Sequence, residues 1–129
     1  MLSKAGGVRH TKEGRGAAMK KTVTICFTNN KGGSGKSTTC SNVGAAMARA
    51  GKKVLLVDGD MQLNLSLSFF SEEKVLEMAA GEMNLYHAIG GQKDLTDYIV
   101  HTPYEGLDLI PSSTQMSSIE YELFTKWQR

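Results

Sequence analysis

The chain has 129 residues, a formal net charge of +2 and an ordinary globular composition, with 40% apolar and 22% charged residues. That length accommodates one domain with a modest core, and the composition excludes a chain that is disordered throughout. No apolar run approaches the roughly 18 residues that a membrane-spanning helix needs, and no apolar stretch follows the basic N-terminus as a secretory signal requires. We therefore expect a cytoplasmic protein with no membrane contact.

Residues 1–18 are Gly-rich, basic and almost free of large apolar side chains, so they are predicted to be a disordered basic extension. Residues 1–21 hold six basic residues and one acidic residue, a charge of +5, which leaves the remainder at −3. A basic arm can contact nucleic acid, but a solvated tail is the favoured interpretation. Met19 is a plausible true start, in which case the leader is an upstream extension or a cloning remnant.

The first elements predict a βαβ unit. The β-branched and aromatic run Thr22–Phe27 predicts a buried strand, and apolar residues at helical spacing predict a helix over Ser37–Ala50. Arg49 suits the last turn of that helix, and Gly51 suits its C-cap. The near-continuous apolar run Lys53–Asp58 is typical of a parallel strand covered on both faces. The crossover between the two strands is expected to be right-handed.

The following segments predict shorter elements. Leu63 to Phe69 alternates apolar with polar residues, yet a helix starting near Asn64 fits equally well. The stretches "EEKVLEMAAG" and "MNLYHAIGG" predict short helices that end at glycine, and "DLTDYIV" fits either a helix or a strand. Gly106–Ser113 predicts a third strand that Pro111 stops. A last helix, capped by Ser117 or Ser118, is expected to run to the chain end.

The stretch "TNNKGGSGKSTTC" after the first predicted strand has the composition of a phosphate-binding loop. Backbone N–H groups of such a loop converge on an anion, and the N-terminus of the next helix adds partial positive charge. Lys36 can reach the β- and γ-phosphates, and the Ser37 hydroxyl can bind Mg²⁺. Asn30 replaces the first glycine of the ordinary GxxxxGK[ST] pattern, and we expect it to tolerate a left-handed backbone. Lys31 is a cation that the ordinary pattern lacks.

Three stretches resemble one family. "KGGSGKST" (Lys31–Thr38) resembles the deviant Walker A motif of the ParA/MinD family of P-loop ATPases. "DGDMQLNLS" (Asp58–Ser66) resembles the family's companion motif, and "GLDLIPSS" its third-strand segment. The resemblance covers about residues 20–120 and implies an α/β P-loop NTPase fold with a mostly parallel sheet flanked by helices. Residues 19–129 would then be the N-terminal part of a ParA-like ATPase domain.

The resemblance also implies a site for ATP and Mg²⁺. Lys36 would hold phosphates within its own subunit, and Lys31 would reach across a dimer to the nucleotide of the partner. Both lysines would be catalytic, together with Asp60, which would position the attacking water. Ser37 and Asp58 would hold the metal. The nucleotide-binding residues implied by the motif are Lys31, Gly32, Gly33, Ser34, Gly35, Lys36, Ser37 and Thr38.

The Asp58–Asn64 stretch departs from the family pattern at one position. Met61 replaces the usual proline, so we expect a looser switch segment, with more effect on hydrolysis than on nucleotide binding. Gln62 and Asn64 are retained, which favours the DNA-partitioning branch of the family. Asp60 has an alternative, purely structural interpretation as the cap of the next helix.

The function implied is that of an ATP-hydrolysing dimeric switch in partitioning of plasmids, chromosomes or mobile elements. The resemblance further implies a homodimer on ATP binding and a ParB-type partner protein. It also implies non-specific DNA contacts through regions beyond residue 129 and a nucleoid-associated location in the cytoplasm. The alternatives are a MinD-like spatial regulator, a tyrosine-kinase-like P-loop ATPase, or a truncated nucleotide-binding module without hydrolysis. The last applies because the family's Walker B aspartate is expected beyond Arg129.

Other reactive side chains carry no functional pattern. Cys26 and Cys40 show no metal-ligand spacing and are expected to be small buried free thiols. His87 and His101 lack ligand spacing and are expected at or near the surface. The apolar face that ends in Trp127 is expected to pack on the sheet, or else to remain uncovered.

Overall fold

The computed structural model describes residues 21–91 and 93–127, and this part of the chain is an α/β fold with short helices around one small sheet. The leader and Met19 lie outside the described residues. The α-helices are α1 (Lys36–Arg49), α2 (Asn64–Leu67), α3 (Glu72–Ala80), α4 (Leu85–Gly90) and α5 (Ile119–Trp127). The strands are β1 (Val54–Val57), β2 (Val100–His101) and β3 (Leu107–Ile110), and 3₁₀ helices cover Leu95–Tyr98 and Thr114–Ser118.

The sheet is mixed and has the order β1-β3-β2. Strands β1 and β3 are parallel, with a register that runs from Val54 opposite Leu107 to Val57 opposite Ile110. Strand β2 adds a two-residue antiparallel edge. The parallel pair brings the carboxyl ends of β1 and β3 together, which is where ligand sites of α/β proteins collect.

Helix α1 packs on β1 and β3 and approaches the sheet closely at Gly44. The contact is possible because Gly44 faces the sheet, where an added Cβ would lie 2.8 Å from Leu56 Cδ2. The helix ends as predicted, with Arg49 in its last turn and Gly51 in a left-handed conformation (φ +81°). The sequence around the loop thus fixes both ends of the helix that would carry the phosphate site.

The core has two apolar clusters, one between α1 and the sheet and the other around α3. The first is formed by Leu56, Leu65, Leu107 and Leu109, and the second by Leu63, Val75, Met78 and Ala79. Helix α2 supplies Leu65 to the first cluster, and Leu63, the residue before it, belongs to the second. The turn after β1 therefore connects the two clusters, and its position is fixed from both sides.

A buried asparagine joins α3, α4 and the end of β3. The side chain of Asn84 donates from Nδ2 to the carbonyls of Met78 (3.0 Å) and Gly81 (2.9 Å). Its Oδ1 accepts the His87 N–H at 3.2 Å, which caps the N-terminus of α4. The Leu85 N–H in turn donates to the Pro111 carbonyl at 2.8 Å, just after β3. One fully buried amide thus satisfies backbone groups at a helix end and a helix start.

The structure decides between the alternatives that the sequence left open for two segments. The chain after Leu63 is helical rather than extended, and "DLTDYIV" divides between a 3₁₀ helix and β2. The short helices α3 and α4, strand β3 and the final helix are confirmed. The final helix begins at Ile119, directly after Ser118 as predicted, but the Ser118 hydroxyl donates to the Gln115 carbonyl at 2.8 Å and caps no N–H of that helix. The side-chain cap lies before the preceding 3₁₀ helix, where Ser113 Oγ accepts the Gln115 N–H at 3.2 Å.

The predicted strand Thr22–Phe27 is wrong. This segment has no regular secondary structure, and Val23 and Ile25 are each 55% exposed. A strand requires a neighbour for its backbone groups, and among the described residues β1 and β2 both pair with β3 alone. The expected βαβ unit is therefore not formed by this part of the chain.

Two expectations about burial are wrong, and one of two alternatives is decided. Strand β1 is not covered on both faces, because Leu55 and Val57 are 41% and 48% exposed. Of the two alternatives for the α5 face, the uncovered one applies among the described residues, since Trp127 is 89% exposed. Cys26 is exposed, whereas Cys40 is half-buried, and both thiols are free as expected. In each case the apolar residue faces a surface that no described segment covers.

Helices long and apolar enough to cross a membrane are absent from the described residues.

His87 is partly buried and His101 is exposed, as expected. The His101 ring nitrogen Nδ1 lies 2.7 Å from Asp108 Oδ1 across the β2–β3 pair, on the protein surface.

Candidate phosphate-binding site

The loop between Asn29 and α1 turns tightly on two glycines. Gly33 has φ +69° and Gly35 has φ +81°, a backbone region that disfavours any residue with a Cβ. Gly35 is the N-cap of α1 and offers no capping side chain, so the helix begins at Lys36 with its first N–H groups uncapped. The glycines at positions 33 and 35 are thus required by the local backbone itself.

The loop presents a run of free backbone donors. Within the described part of the chain, the N–H groups from Gly35 to Thr38 have no hydrogen-bond partner, and the next one, Thr39 N–H, donates to the Gly35 carbonyl at 2.8 Å. Such groups at the start of a helix add to its positive end and form a site for an anion. This arrangement is suited to bind phosphate oxygens.

Gly32 differs from the other glycines of the loop. Its backbone does not lie in the left-handed region, and an added Cβ would meet no atom within 4 Å. Neither a positive φ nor packing against the described residues therefore requires a glycine here. The remaining physical reason is room for a group that approaches the backbone closely from outside.

Lys36 folds back over the loop. Its Nζ donates to the Lys31 carbonyl at 3.3 Å, so the ammonium group lies beside the loop that it is predicted to serve. The Asn29 side chain fixes the other end, because its Oδ1 accepts the Lys31 N–H at 2.9 Å. The turn forms without the left-handed backbone that Asn30 was expected to tolerate, since Leu63 alone among described non-glycine residues has a positive φ. Asn29 stabilises the turn through its side chain instead.

Lys31 lies on the loop surface and is exposed. Among the described residues, no carboxylate pairs with its ammonium group. Its charge is therefore directed at no acidic group of the described chain, which leaves it free to meet an anion outside its own subunit.

Asp58 follows β1 and is buried, with 2% of its surface exposed. Its Oδ2 accepts both the Ser66 N–H at 2.9 Å and the Ser66 hydroxyl at 2.6 Å, and its Oδ1 accepts the Asp60 N–H at 3.1 Å. Burial raises the pKa of Asp58 above its ordinary value, and the hydrogen bonds from Ser66 and Asp60 oppose that rise. The carboxylate is thus held in place by three donors.

Ser37 belongs to α1, and α1 packs against β1, the strand that Asp58 directly follows. Burial raises the pKa of the Cys40 thiol, and the charge of the nearby Asp58 raises it further. Cys40 lies three residues after Ser37, on the same side of the helix. The hydroxyl and carboxylate predicted to hold Mg²⁺ therefore lie on adjoining elements.

Asp60 and the residues after it form a tight turn. Asp60 Oδ1 accepts the Gln62 N–H at 3.0 Å, and its carbonyl accepts the Leu63 N–H at 3.0 Å. Met61, Gln62 and Asn64 are exposed, whereas Leu63 is buried with φ +63°. The expected structural role of Asp60 is thus present in part, as it caps this turn rather than α2. Its carboxylate is only partly buried and can also meet solvent.

The described residues contain no group of three His, Cys, Asp or Glu side chains placed to bind a metal by themselves. Magnesium does not require such a group, because it is commonly held by one or two protein oxygens together with phosphates and water. The Ser37 hydroxyl and the Asp58 carboxylate match that donor set.

Sequence reasoning missed two residues of the site. Asn29 was detectable in principle, because asparagine often accepts the N–H two residues later at the start of a turn. Ser66 gave no signal, since a serine in a short helix has no reason in sequence to meet a carboxylate eight residues earlier.

The family model described as an AAA domain matches residues 22–129. The sporulation initiation inhibitor protein Soj of Bacillus subtilis is 41% identical over 99 residues, which are 77% of this chain and 37% of that protein. A plasmid partition protein from Borrelia burgdorferi has a solved structure that matches at TM-score 0.56 and 30% identity, over 71% of this chain and 39% of its own.

Another solved structure, cobyrinic acid a,c-diamide synthase from Mycobacterium smegmatis with a bound ATP analogue and magnesium, matches at TM-score 0.65 and 30% identity. The match covers 75% of this chain and 37% of that one, so the chain spans little more than a third of the relatives that it matches. On the strength of the family model, the relatives and the loop geometry, the chain belongs to the ParA/MinD family of P-loop ATPases and is of the partitioning type.

Proposed function

We propose that the chain binds ATP with Mg²⁺ at Lys31–Thr38 and acts as an ATP-dependent dimeric switch of the ParA type in DNA partitioning. The observation that carries this proposal is the run of N–H groups from Gly35 to Thr38 at the start of α1, which have no hydrogen-bond partner among the described residues, next to Gly32, where an added Cβ would meet no described atom within 4 Å. A triphosphate offers the oxygens that such donors require.

Each side chain of the site has a chemical role in this proposal. Lys36 neutralises the β- and γ-phosphates, and its position over the loop requires only a small movement from the Lys31 carbonyl. Ser37 and Asp58 would hold Mg²⁺, which would supply positive charge to neutralise the phosphate oxygens. Asp60 orients the water that attacks the γ-phosphorus, because its carboxylate is partly exposed directly after Asp58.

Lys31 provides the link between subunits. Its ammonium group is exposed, and the described chain offers it no carboxylate. A bond from Lys31 to the nucleotide of a second copy would make the γ-phosphate part of the dimer contact. Hydrolysis would remove that contact and release the pair.

The wider assignments rest on the relatives. The similarity to Soj and to a plasmid partition protein supports partitioning as the process, with a ParB-type protein and non-specific DNA as partners, at the nucleoid in the cytoplasm. We propose that DNA contacts involve regions beyond residue 129, and that residues 19–129 form the N-terminal part of the ATPase domain. The exposed face of β1 supports the second point, because further parts of a domain would cover it.

One observation favours a second candidate, a nucleotide-binding module that does not hydrolyse ATP. The segment Thr22–Phe27 leads into the loop without pairing to a strand among the described residues, so one side of the loop has no fixed support. Binding tolerates such looseness better than catalysis, which depends on positioning to within about an ångström. Phosphate release from ATP, measured alongside binding, separates the two candidates.

Binding is tested by calorimetric titration of Mg-ATP into the chain. We expect uptake by the wild type and a loss of about 10- to 100-fold in affinity for Lys36→Ala, the cost of one hydrogen bond to a charged group. Lys53→Ala is the matched control, because Lys53 is an exposed lysine just after the far end of α1. No uptake by the wild type would refute the proposal.

The dimeric switch is tested by sedimentation with and without Mg-ATP. We expect the wild type to dimerise with nucleotide, and Lys31→Ala to bind nucleotide but remain monomeric. Equal dimerisation of both proteins would contradict the role of Lys31 across the subunit boundary.

A further inference from the structure

Ser66 is completely buried, at 0% exposure, and both of its donors converge on one oxygen. Its backbone N–H and its hydroxyl reach Asp58 Oδ2 at 2.9 and 2.6 Å. Serine in a helix usually bonds to a carbonyl of its own turn, as Ser68 does with Asn64 O at 3.1 Å. Ser66 instead spans eight residues to the end of β1.

The two carboxylate oxygens of Asp58 are consequently unequal. Oδ2 takes two short hydrogen bonds, whereas Oδ1 takes one longer bond from the Asp60 N–H at 3.1 Å. An ionised carboxylate oxygen has two acceptor sites, so Oδ2 is saturated and Oδ1 keeps one site available. Two donors on a single oxygen also fix the rotation of the carboxylate about its bond to Cβ.

We infer that Ser66 is a positioning residue, which holds the Asp58 carboxylate oriented so that Oδ1 remains available to the Mg²⁺-nucleotide. This inference rests on the proposed function. Partners that orient a metal-binding group commonly change metal affinity by about 10- to 100-fold when they are removed. Because Ser66 belongs to α2 and α2 contacts α1, the same bonds connect the metal position to the helix that begins at the loop.

A purely structural role predicts a different result. If Ser66 only fastens α2 to β1, its loss would lower stability but leave the Mg²⁺ requirement of nucleotide binding unchanged. The dependence of binding on Mg²⁺ concentration is therefore the decisive measurement, because it is independent of turnover.

The experiment measures binding of a fluorescent, non-hydrolysable ATP analogue as Mg²⁺ is titrated, and again in EDTA. For Ser66→Ala we expect the half-saturating Mg²⁺ concentration to rise about 10- to 100-fold, with no change in EDTA. Ser66→Thr retains the hydroxyl and should stay close to wild type. Ser68→Ala removes a hydroxyl from the adjoining turn that does not touch Asp58, and it should behave as wild type.

The outcomes are distinguishable. If the wild type binds no analogue at any Mg²⁺ concentration, the proposed function and this inference both fail. If the wild type binds and Ser66→Ala shows an unchanged Mg²⁺ requirement, the inference alone is overturned. If Ser66→Ala does not fold, Ser66→Cys, which keeps the side-chain size but is a weak donor, is measured in its place. A raised Mg²⁺ requirement then supports the inference and an unchanged one overturns it.

Discussion

Gly32 and Gly33 are neighbours, yet alanine at these positions should have opposite consequences. Gly33 has φ +69°, so Gly33→Ala forces a Cβ into the left-handed region at a cost of about 1–2 kcal/mol in folding free energy. Gly32 has neither a positive φ nor an atom within 4 Å of an added Cβ. Gly32→Ala should therefore leave stability unchanged or raise it by about 0.4–1 kcal/mol through the unfolded state.

The effect on nucleotide binding should be largest where the effect on stability is smallest. A Cβ at position 32 would occupy the space that we assign to the phosphates, and we expect Gly32→Ala to lose at least about tenfold in Mg-ATP affinity, the equivalent of one charge-assisted hydrogen bond. Gly51→Ala is the control, because Gly51 has φ +81° and open surroundings at the far end of α1. It should lose stability as Gly33→Ala does and bind nucleotide normally.

The assays are urea unfolding and calorimetric titration of the same preparations. A change of 1–2 kcal/mol corresponds to roughly 1 M in the urea midpoint for a small domain, well above the error of the measurement. The reasoning would be refuted if Gly32→Ala bound Mg-ATP as tightly as wild type, or if it unfolded at clearly lower urea.

Three further predictions concern stability. Asn84→Ala should lower the unfolding free energy by about 2–4 kcal/mol, because it removes the buried hydrogen bond to the Met78 carbonyl and the partly buried ones to the Gly81 carbonyl and from the His87 N–H, and urea unfolding will show it. A loss below about 0.5 kcal/mol, as is usual for surface substitutions, would contradict the inference that Asn84 joins α3, α4 and the end of β3. Trp127→Ser should change the urea midpoint very little, since the ring is 89% exposed, and a large loss would show that it is covered. Burial raises the pKa of Asp58 above its ordinary value of 3.8, so ionisation of this carboxyl lowers the stability of the fold. The free energy of unfolding should therefore decline as the pH rises from 3.8 through the raised pKa of the folded state, and it should level off at higher pH. Asp58→Asn should lack this decline in urea unfolding measured across the same range, and a parallel decline in the variant would count against the assignment.

Local chemistry made the loop and α1 predictable. Glycine at 33, 35 and 51 is needed for positive φ, and the 3.6-residue spacing of apolar positions in α1 is independent of the rest of the fold. Strands β1 and β3 were also predictable, since their apolar runs are bounded by glycine, aspartate or proline. These features depend on a few neighbouring residues.

The errors about the first strand and about burial share a physical cause, since each concerned a partner distant in the chain. Thr22–Phe27 has strand composition, but composition cannot supply the neighbouring strand that it lacks among the described residues. Leu55, Val57 and Trp127 are apolar, but whether they are covered depends on what packs against them. The hydrogen bonds between Ser66 and Asp58 likewise depend on how the turn after β1 folds back, and the hydrophobic periodicity of the sequence does not indicate that path.

The open side of β1 has a practical consequence for handling the chain. Its backbone pairs with β3 on one side, and no described segment pairs with the other, while Leu55 and Val57 stand exposed beside it. Unpaired strand edges of this kind act as templates on which other chains add strands. The β-prone, solvent-exposed run Thr22–Phe27 is a ready donor for such addition. Concentrated preparations should therefore self-associate through backbone pairing unless a binding partner or an added charge shields that edge.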